Sequence, residues 1–225
     1  MLGCAAFDFA PFGLSGTVYG TLLNQRSALV ALGDAVNQKP YLKPPRAPIL
    51  YVKPRNTLAG EGHAVPVPAD SPELEVGATM GVVIGRPACR VSETQALDTV
   101  AGYLIVNDVS VPHASYYRPS IRQKARDGFC PLGAATARES VGDPGALGIR
   151  VFVDGKLAAS ASTADLLRSV PRLLADVSEF MTLSPGDVLA VGVAAPAPRV
   201  RAGAQVRIEI DKLGALNNRF VTEQA

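Results

Sequence analysis

Hydrophobic positions along this chain fall into short runs or alternations separated by glycine and proline, the pattern of strands and turns more than of long helices. Gly81–Gly85 and Val100–Val109 are apolar runs with the length of buried strands. In Val206-Arg207-Ile208-Glu209-Ile210 the aliphatic residues face one side and the charges the other, as in a half-covered strand. Asp154-Gly155 between Val151–Val153 and Leu157–Ser160 predicts a hairpin. Ser184-Pro185-Gly186 predicts a turn feeding a strand from Val188 to Gly192. Between Pro40 and Pro72 the chain carries eight prolines, which predicts ordered loop with one short strand at Ile49–Val52.

Three stretches read as helices. The longest, Thr163 to Phe180, puts Leu166, Val170, Leu173, Leu174, Val177 and Phe180 on one face, with Thr163 as its N-cap. Gln25–Val36 has Leu29, Val30 and Leu32 as an inner face, and Glu93–Ala101 is a third candidate. Together these elements predict a mainly β (α+β) domain over residues 16–225, preceded by an N-terminal extension over residues 1–15. The apolar start Met1–Ala10 lacks the positive residues and long core of a signal peptide, and no run reaches the length of a membrane helix.

Charge narrows the function classes. Twenty-two basic residues against 20 acidic ones give a formal charge of +2 with no basic block, which argues against a nucleic-acid partner. Cys4, Cys89 and Cys130 have no paired spacing, so neither a disulfide framework nor a zinc knuckle is implied, and a cytoplasmic location is expected. With only two histidines, any metal must be held by oxygen ligands. Asn107-Asp108-Val109-Ser110 sits at the mouth of a long strand, where a carboxylate, amide and hydroxyl suit a hard cation; the same residues also read as an ordinary turn. Asp127–Gly133 is a dense turn preceded by Lys124 and Arg126, readable as a packing loop or as a cationic wall facing an anion. Cys130 reads as a buried thiol, and His63 and His113 as loop histidines. GxSxG, P-loop and GxGxxG motifs are absent.

Six segments, in order, resemble the fumarylacetoacetate hydrolase family: Asn24–Ser27, Tyr51–Thr57, Val82–Gly85, Gly102-Tyr103 with Asn107–Ser110, Lys124 with Asp127–Gly133, and Leu183–Asp187. Tyr116–Ile121 and Arg126–Pro131 resemble its isomerase/decarboxylase branch of 4-hydroxyphenylacetate breakdown, whose chains commonly carry two such halves; this chain is similar to the amino-terminal one. The resemblance implies a mixed β-sandwich roll, usually dimeric, that acts on a small anionic 2-oxo or 2-hydroxy diacid through a Mg²⁺-stabilised enolate. It places Asp108 as a metal ligand, Lys124 as the residue stabilising enolate or carboxylate charge, and Arg26 or Lys53 as clamps on a distal carboxylate. Gly77 and Thr79 occupy the positions of the family's two glutamate ligands, so metal binding is expected to be weak or absent. Glutamates at 77 and 79 would be expected to restore it. His63 is the one guess for an acid/base. The alternative is a silent subunit that forms a homodimer or pairs with a ligand-complete paralogue.

Overall fold

The computed structural model describes residues 16–113 and 115–223, with the backbone of residues 8–9 and 12–13. Most of the expected extension 1–15, and with it that boundary, lies outside the described residues; within it Asp8–Phe9 pairs antiparallel with Phe12–Gly13. Two mixed sheets form the body. The six-stranded sheet runs in the order Thr136–Ala137, Val100–Asn107, Ala78–Ile84, Val188–Ala190, Val18–Leu22, Ile49–Lys53. The five-stranded sheet runs Lys156–Ser162, Gly148–Val153, Gln205–Ile210, Gly214–Thr222, Ala64–Val67. Each contains one parallel pair, Val188–Ala190 with Val18–Gly20 and Arg219–Thr222 with Ala64–Val67. The mixed β-sandwich is thus the observed architecture, and none of the described helices is long and apolar enough to cross a membrane.

Strand period two sorts the core into two layers. Met80, Val82 and Ile84 point with Tyr103 and Ile105 toward the five-stranded sheet, meeting Ile149, Val151, Val206, Ile208 and Leu216. Val83, Leu104 and Val106 face the other way and pack with Val18, Val188, Cys130 and Leu132. Ala78–Ile84 is therefore buried along its whole length, which explains its unbroken apolar run. In Gln205–Ile210, Val206, Ile208 and Ile210 are buried as the alternation predicts, while Arg207 and Glu209 pair on the outer face. The 154–155 hairpin forms with positive φ at both residues, 50° at Asp154 and 77° at Gly155, the geometry of a type I′ turn.

The helices depart from the sequence pattern. The long candidate begins at Val170, not Thr163, and ends at Ser178. Pro171 supplies no N–H and fits only the first turn, where Ser169 caps by accepting from the Arg172 N–H. The Thr163 hydroxyl instead donates to the Pro144 carbonyl at 2.7 Å and accepts from the Leu147 N–H at 2.8 Å. Val170, Leu173, Leu174 and Val177 are buried as expected, but Phe180 lies beyond the helix and is 64% exposed. The 25–36 candidate shrinks to Arg26–Leu32 followed by a 3₁₀ turn over Gly33–Asn37, and Val30 is 71% exposed. None of the residues of Arg26–Leu32 is buried, and of the expected inner face Val30 lines a groove. Glu93–Ala101 yields a 3₁₀ turn, Ala96–Thr99, before Val100 opens the long strand. The proline-rich segment holds more structure than expected: besides Ile49–Lys53 it contributes Ala64–Val67, where Pro66 is tolerated because that strand is a sheet edge.

Leu174→Ala should therefore lower unfolding free energy by about 2–5 kcal/mol, while Phe180→Ala stays within about 0.5 kcal/mol. Urea denaturation followed by circular dichroism checks both; equal losses would place Phe180 in the core.

Candidate functional site

Tyr51 and Lys53 are two residues apart on Ile49–Lys53, so both side chains project from one face of the sheet. Gly20 pairs with Tyr51 across the strands, and a Cβ there would lie 2.0 Å from the phenol ring; glycine is what lets the ring lie flat over the neighbouring strand. Both side chains reach Asp108, the first residue after Val100–Asn107. Lys124, at the end of the short helix Ile121–Lys124, approaches from the other side. The result is a closed cluster. Lys53 Nζ lies 2.8 Å from Asp108 Oδ1, and Lys124 Nζ lies 2.8 Å from Oδ2. The Tyr51 hydroxyl donates to Oδ2 as well. Asp108 is 2% exposed, Lys53 2% and Lys124 7%, so two ammoniums and one carboxylate share an interior with a surplus of one positive charge.

Burial pushes the Asp108 carboxyl up, but the charges of Lys124 and Lys53 outweigh it and hold the group below the usual carboxylate range. Burial pulls the Lys53 ammonium down, against the attraction of Asp108. It also raises Tyr51 well above an ordinary phenol, and the neighbouring Asp108 charge adds to that. Lys53 is further committed through hydrogen bonds to the carbonyls of Val109 at 3.0 Å and Lys124 at 2.8 Å. Asn56 ties the same segments together by donating to the Ala125 carbonyl and the Asp127 carboxylate. This explains why Tyr51–Thr57 and Lys124–Gly133 read as linked motifs: each carries the bonds that seat the other.

A cleft of about 180 Å³ opens beside the cluster, lined among others by Thr21, Glu75, Asp108, Ser110, His113 and Lys124. Of the residues expected at the site, Asp108, Lys124 and Gly77 meet there. Lys53 does not clamp a ligand, because its charge and donors are spent inside the protein. Arg26 is exposed and lines a neighbouring groove of about 510 Å³ that shares Val193–Pro196 with the cleft, but it does not line the cleft itself. His63 lies against Gly128, where a Cβ would sit 2.4 Å from its Nε2, and it does not line the cleft. Cys130 is 0% exposed, and burial pushes its thiol up to about 12, which makes it an inert packing group. Thr21, His113 and Arg199 line the cleft with no sequence pattern that places them there, whereas Tyr51 belongs to the Tyr51–Thr57 segment and alternates with Lys53.

The donor set does not fit a divalent cation. Both Asp108 oxygens face ammonium groups, and Thr79 is 0% exposed with its hydroxyl holding the Gly192 N–H at 3.2 Å. Gly77 has no room for a side chain: a Cβ would lie 2.2 Å from the Asp108 carbonyl oxygen. Glu75 lines the cleft with Arg199 3.6 Å away, and Glu73 pairs outside with Arg201 at 2.7 Å. Among the described residues no group of three His, Cys, Asp or Glu converges to hold a metal. A glutamate at 77 would require the Asp108 backbone to shift before its carboxylate could reach the cleft. A surplus buried positive charge beside an open cleft suits an anion instead.

Residues 17–221 match the family model described as fumarylacetoacetate (FAA) hydrolase C-terminal. The chain belongs to the fumarylacetoacetate hydrolase family. It is 39% identical over 211 residues to the 4-hydroxyphenylacetate degradation bifunctional isomerase/decarboxylase of Escherichia coli, covering 94% of this chain and 48% of that protein. It thus spans about half the length of such curated relatives. A second relative, the mitochondrial oxaloacetate tautomerase fahd2 of Xenopus laevis, is 34% identical over 188 residues, 79% of this chain and 59% of that one. Among solved structures, 5-carboxymethyl-2-hydroxymuconate delta-isomerase of Mycobacterium smegmatis superposes with a TM-score of 0.80 at 28% identity, covering 94% of this chain and 81% of that one. Maleylpyruvate hydrolase of Sphingobium sp. SYK-6, solved with manganese(II) and pyruvate, gives a TM-score of 0.75 at 28% identity, covering 92% of this chain and 71% of that one.

Two outcomes test this geometry. Gly77→Ala should cost about 1–3 kcal/mol of stability through overpacking against the Asp108 backbone, read from the urea midpoint; a neutral effect would mean the contact is loose. Asp108→Asn leaves two buried ammoniums unbalanced and should cost about 3–5 kcal/mol at neutral pH. Because folding lowers the Asp108 pKa, that advantage is complete above the unfolded value of about 4 and disappears as pH falls toward the lower folded value. The gap between wild-type and variant midpoints should hold from pH 7 to about 4 and close below it; a gap that closes near neutrality would contradict the assignment.

Proposed function

We propose that this chain is the metal-silent half of an isomerase/decarboxylase of aromatic catabolism. It binds a small 2-oxo or 2-hydroxy diacid and pairs with a half, fused or separate, that carries the complete carboxylate set. The observation that carries this reading is the internal occupation of Asp108 by Lys53 and Lys124, together with the blocked position at Gly77. Its similarity to half of a bifunctional isomerase/decarboxylase supports the reaction class. In this assignment the divalent ion, and the enolate stabilisation it provides, belong to the other half. The residues here supply a cationic cleft through Lys124 and an apolar wall through Val193 and Ala194.

Pairing follows from the same fold. The edge strand Lys156–Ser162 is largely exposed and bears one charge, Lys156, so its free backbone groups are weakly protected against another chain. A homodimer is expected for the chain alone and a mixed dimer when the complete half is present.

The test is co-expression with a ligand-complete paralogue, followed by decarboxylation assays of a 2-oxo diacid with Mg²⁺ or Mn²⁺. The chain alone should show no metal-dependent turnover and the mixed assembly should be active. Loss of the partner half's metal carboxylates should abolish that activity, whereas Lys124→Met in this chain should only reduce it. Metal-dependent turnover by the isolated chain at the rate of the pair would overturn the proposal.

A further inference from the structure

A second recess, of about 290 Å³, runs along the free edge of Ile49–Lys53. That strand is the last in its six-stranded sheet, so alternate backbone groups on its outer side have no strand partner. Ile49, Leu50, Tyr51 and Val52 all line the recess. Successive side chains leave a strand on opposite faces, so only a groove along the edge meets all four. The other wall is built from Tyr116 to Ile121, with Lys124 and Ala125. Three large apolar side chains of this recess stand open: Val52 is 42% exposed, Tyr117 61% and Ile121 60%. An unpaired edge beside an apolar wall is a surface that proteins cover.

The sequence supplies an occupant tethered at one end of this groove. Val18 pairs with Lys53, so the chain enters the sheet beside the last residue of the edge strand. Lys53 Nζ lies 2.8 Å from the Lys124 carbonyl, and Lys124 and Ala125 line the groove. The larger groove lined by Gln25–Ser27 follows Leu22, at the opposite end of Val18–Leu22. The segment 1–15 reaches up to about 50 Å when extended, well beyond the roughly 17 Å of a five-residue strand. It holds Phe7, Phe9 and Phe12, three of the chain's seven phenylalanines, and Asp8 is its one charged side chain. Phe9 and Phe12 are register partners in its short hairpin. A cavity of roughly 150 Å³ takes one benzene ring, so this groove takes about two phenyl rings. Arg118 in its wall is exposed and makes no ion pair or hydrogen bond among the described residues, which offers Asp8 a counter-charge.

We propose that this groove is the docking site of the chain's own segment Phe7–Phe12, whose phenylalanines pack against Val52, Tyr117 and Ile121. The short tether makes docking intramolecular, with an effective concentration on the order of millimolar, so a weak contact suffices. The groove shares Tyr51, Tyr116 and Lys124 with the cleft, so the docked segment covers the outer side of the wall that carries Lys124. This role depends neither on a metal nor on pairing with a second half.

A nitroxide attached to Cys4 of the isotopically labelled full chain tests this, with Cys89→Ser removing the exposed thiol and Cys130 buried. The amide signals of Val52, Tyr117 and Ile121 should broaden and should recover when the nitroxide is reduced, while those of Leu157 and Phe180 keep their intensity. Phe9→Ser with Phe12→Ser should abolish the broadening, and so should Ile121→Glu, a change at an exposed position; circular dichroism confirms the fold of both. No broadening at the groove, equal broadening at Leu157, or broadening at Val30 in its place would overturn the proposal. Nitroxide-bearing chain without isotope label, mixed with isotopically labelled chain lacking the nitroxide, should leave the groove signals intact. Broadening in that mixture would give the groove to a second copy and overturn the proposal as well. None of these readouts involves a cation, so this inference and the metal-silent reading fail separately.

Discussion

The arrangement of the functional end of this molecule depends on one electrostatic constraint: the carboxylate of Asp108 is buried, and two lysines compensate it from opposite sides. An isolated charge at that depth would be strongly unfavourable, so each segment that delivers a partner is held in place by the need to deliver it. Ile49–Lys53 brings Lys53 and Tyr51 from the sheet edge, and Ile121–Lys124 brings Lys124 from a loop. The bonds from Lys53 to the carbonyls of Val109 and Lys124 turn that ion pair into a mechanical joint between three stretches distant in sequence.

The joint also changes what the family's architecture does here. A carboxylate that already faces two ammoniums has little left to offer a hydrated divalent ion, whose binding depends on several oxygens replacing its water. The same pair of lysines leaves a positive surplus, and one of them opens onto the cleft. A charge balance that leaves little for a cation is one that favours an anion.

Much of this was legible in the sequence because it rests on local rules. The alternation of Val206, Ile208 and Ile210 fixed the buried face of that strand, and the Asp154-Gly155 turn fixed its hairpin. Segment order is enough to suggest the family, and it points to Asp108, Lys124 and Gly77. What failed was tertiary. Arg26 follows the motif residues Asn24 and Gln25, but its side chain points to another groove. Asn24 itself serves structure, donating to the carbonyls of Arg168 and Val191. Lys53 reads as a ligand clamp on the chain and proves to be an internal counter-ion, a difference set by packing. His113 lines the cleft, although as a lone loop histidine it carries no sequence pattern that places it there.

The close approach of Gly77 to the backbone of Asp108 also limits what a replacement can do there. A side chain placed there would first overlap a carbonyl oxygen, so the backbone must open before a carboxylate could enter. Nor would a change at Thr79 help alone, since it would release the Gly192 loop while the lysines still occupied Asp108. At either position a one-residue change disturbs a backbone contact before it can add an oxygen to the cleft.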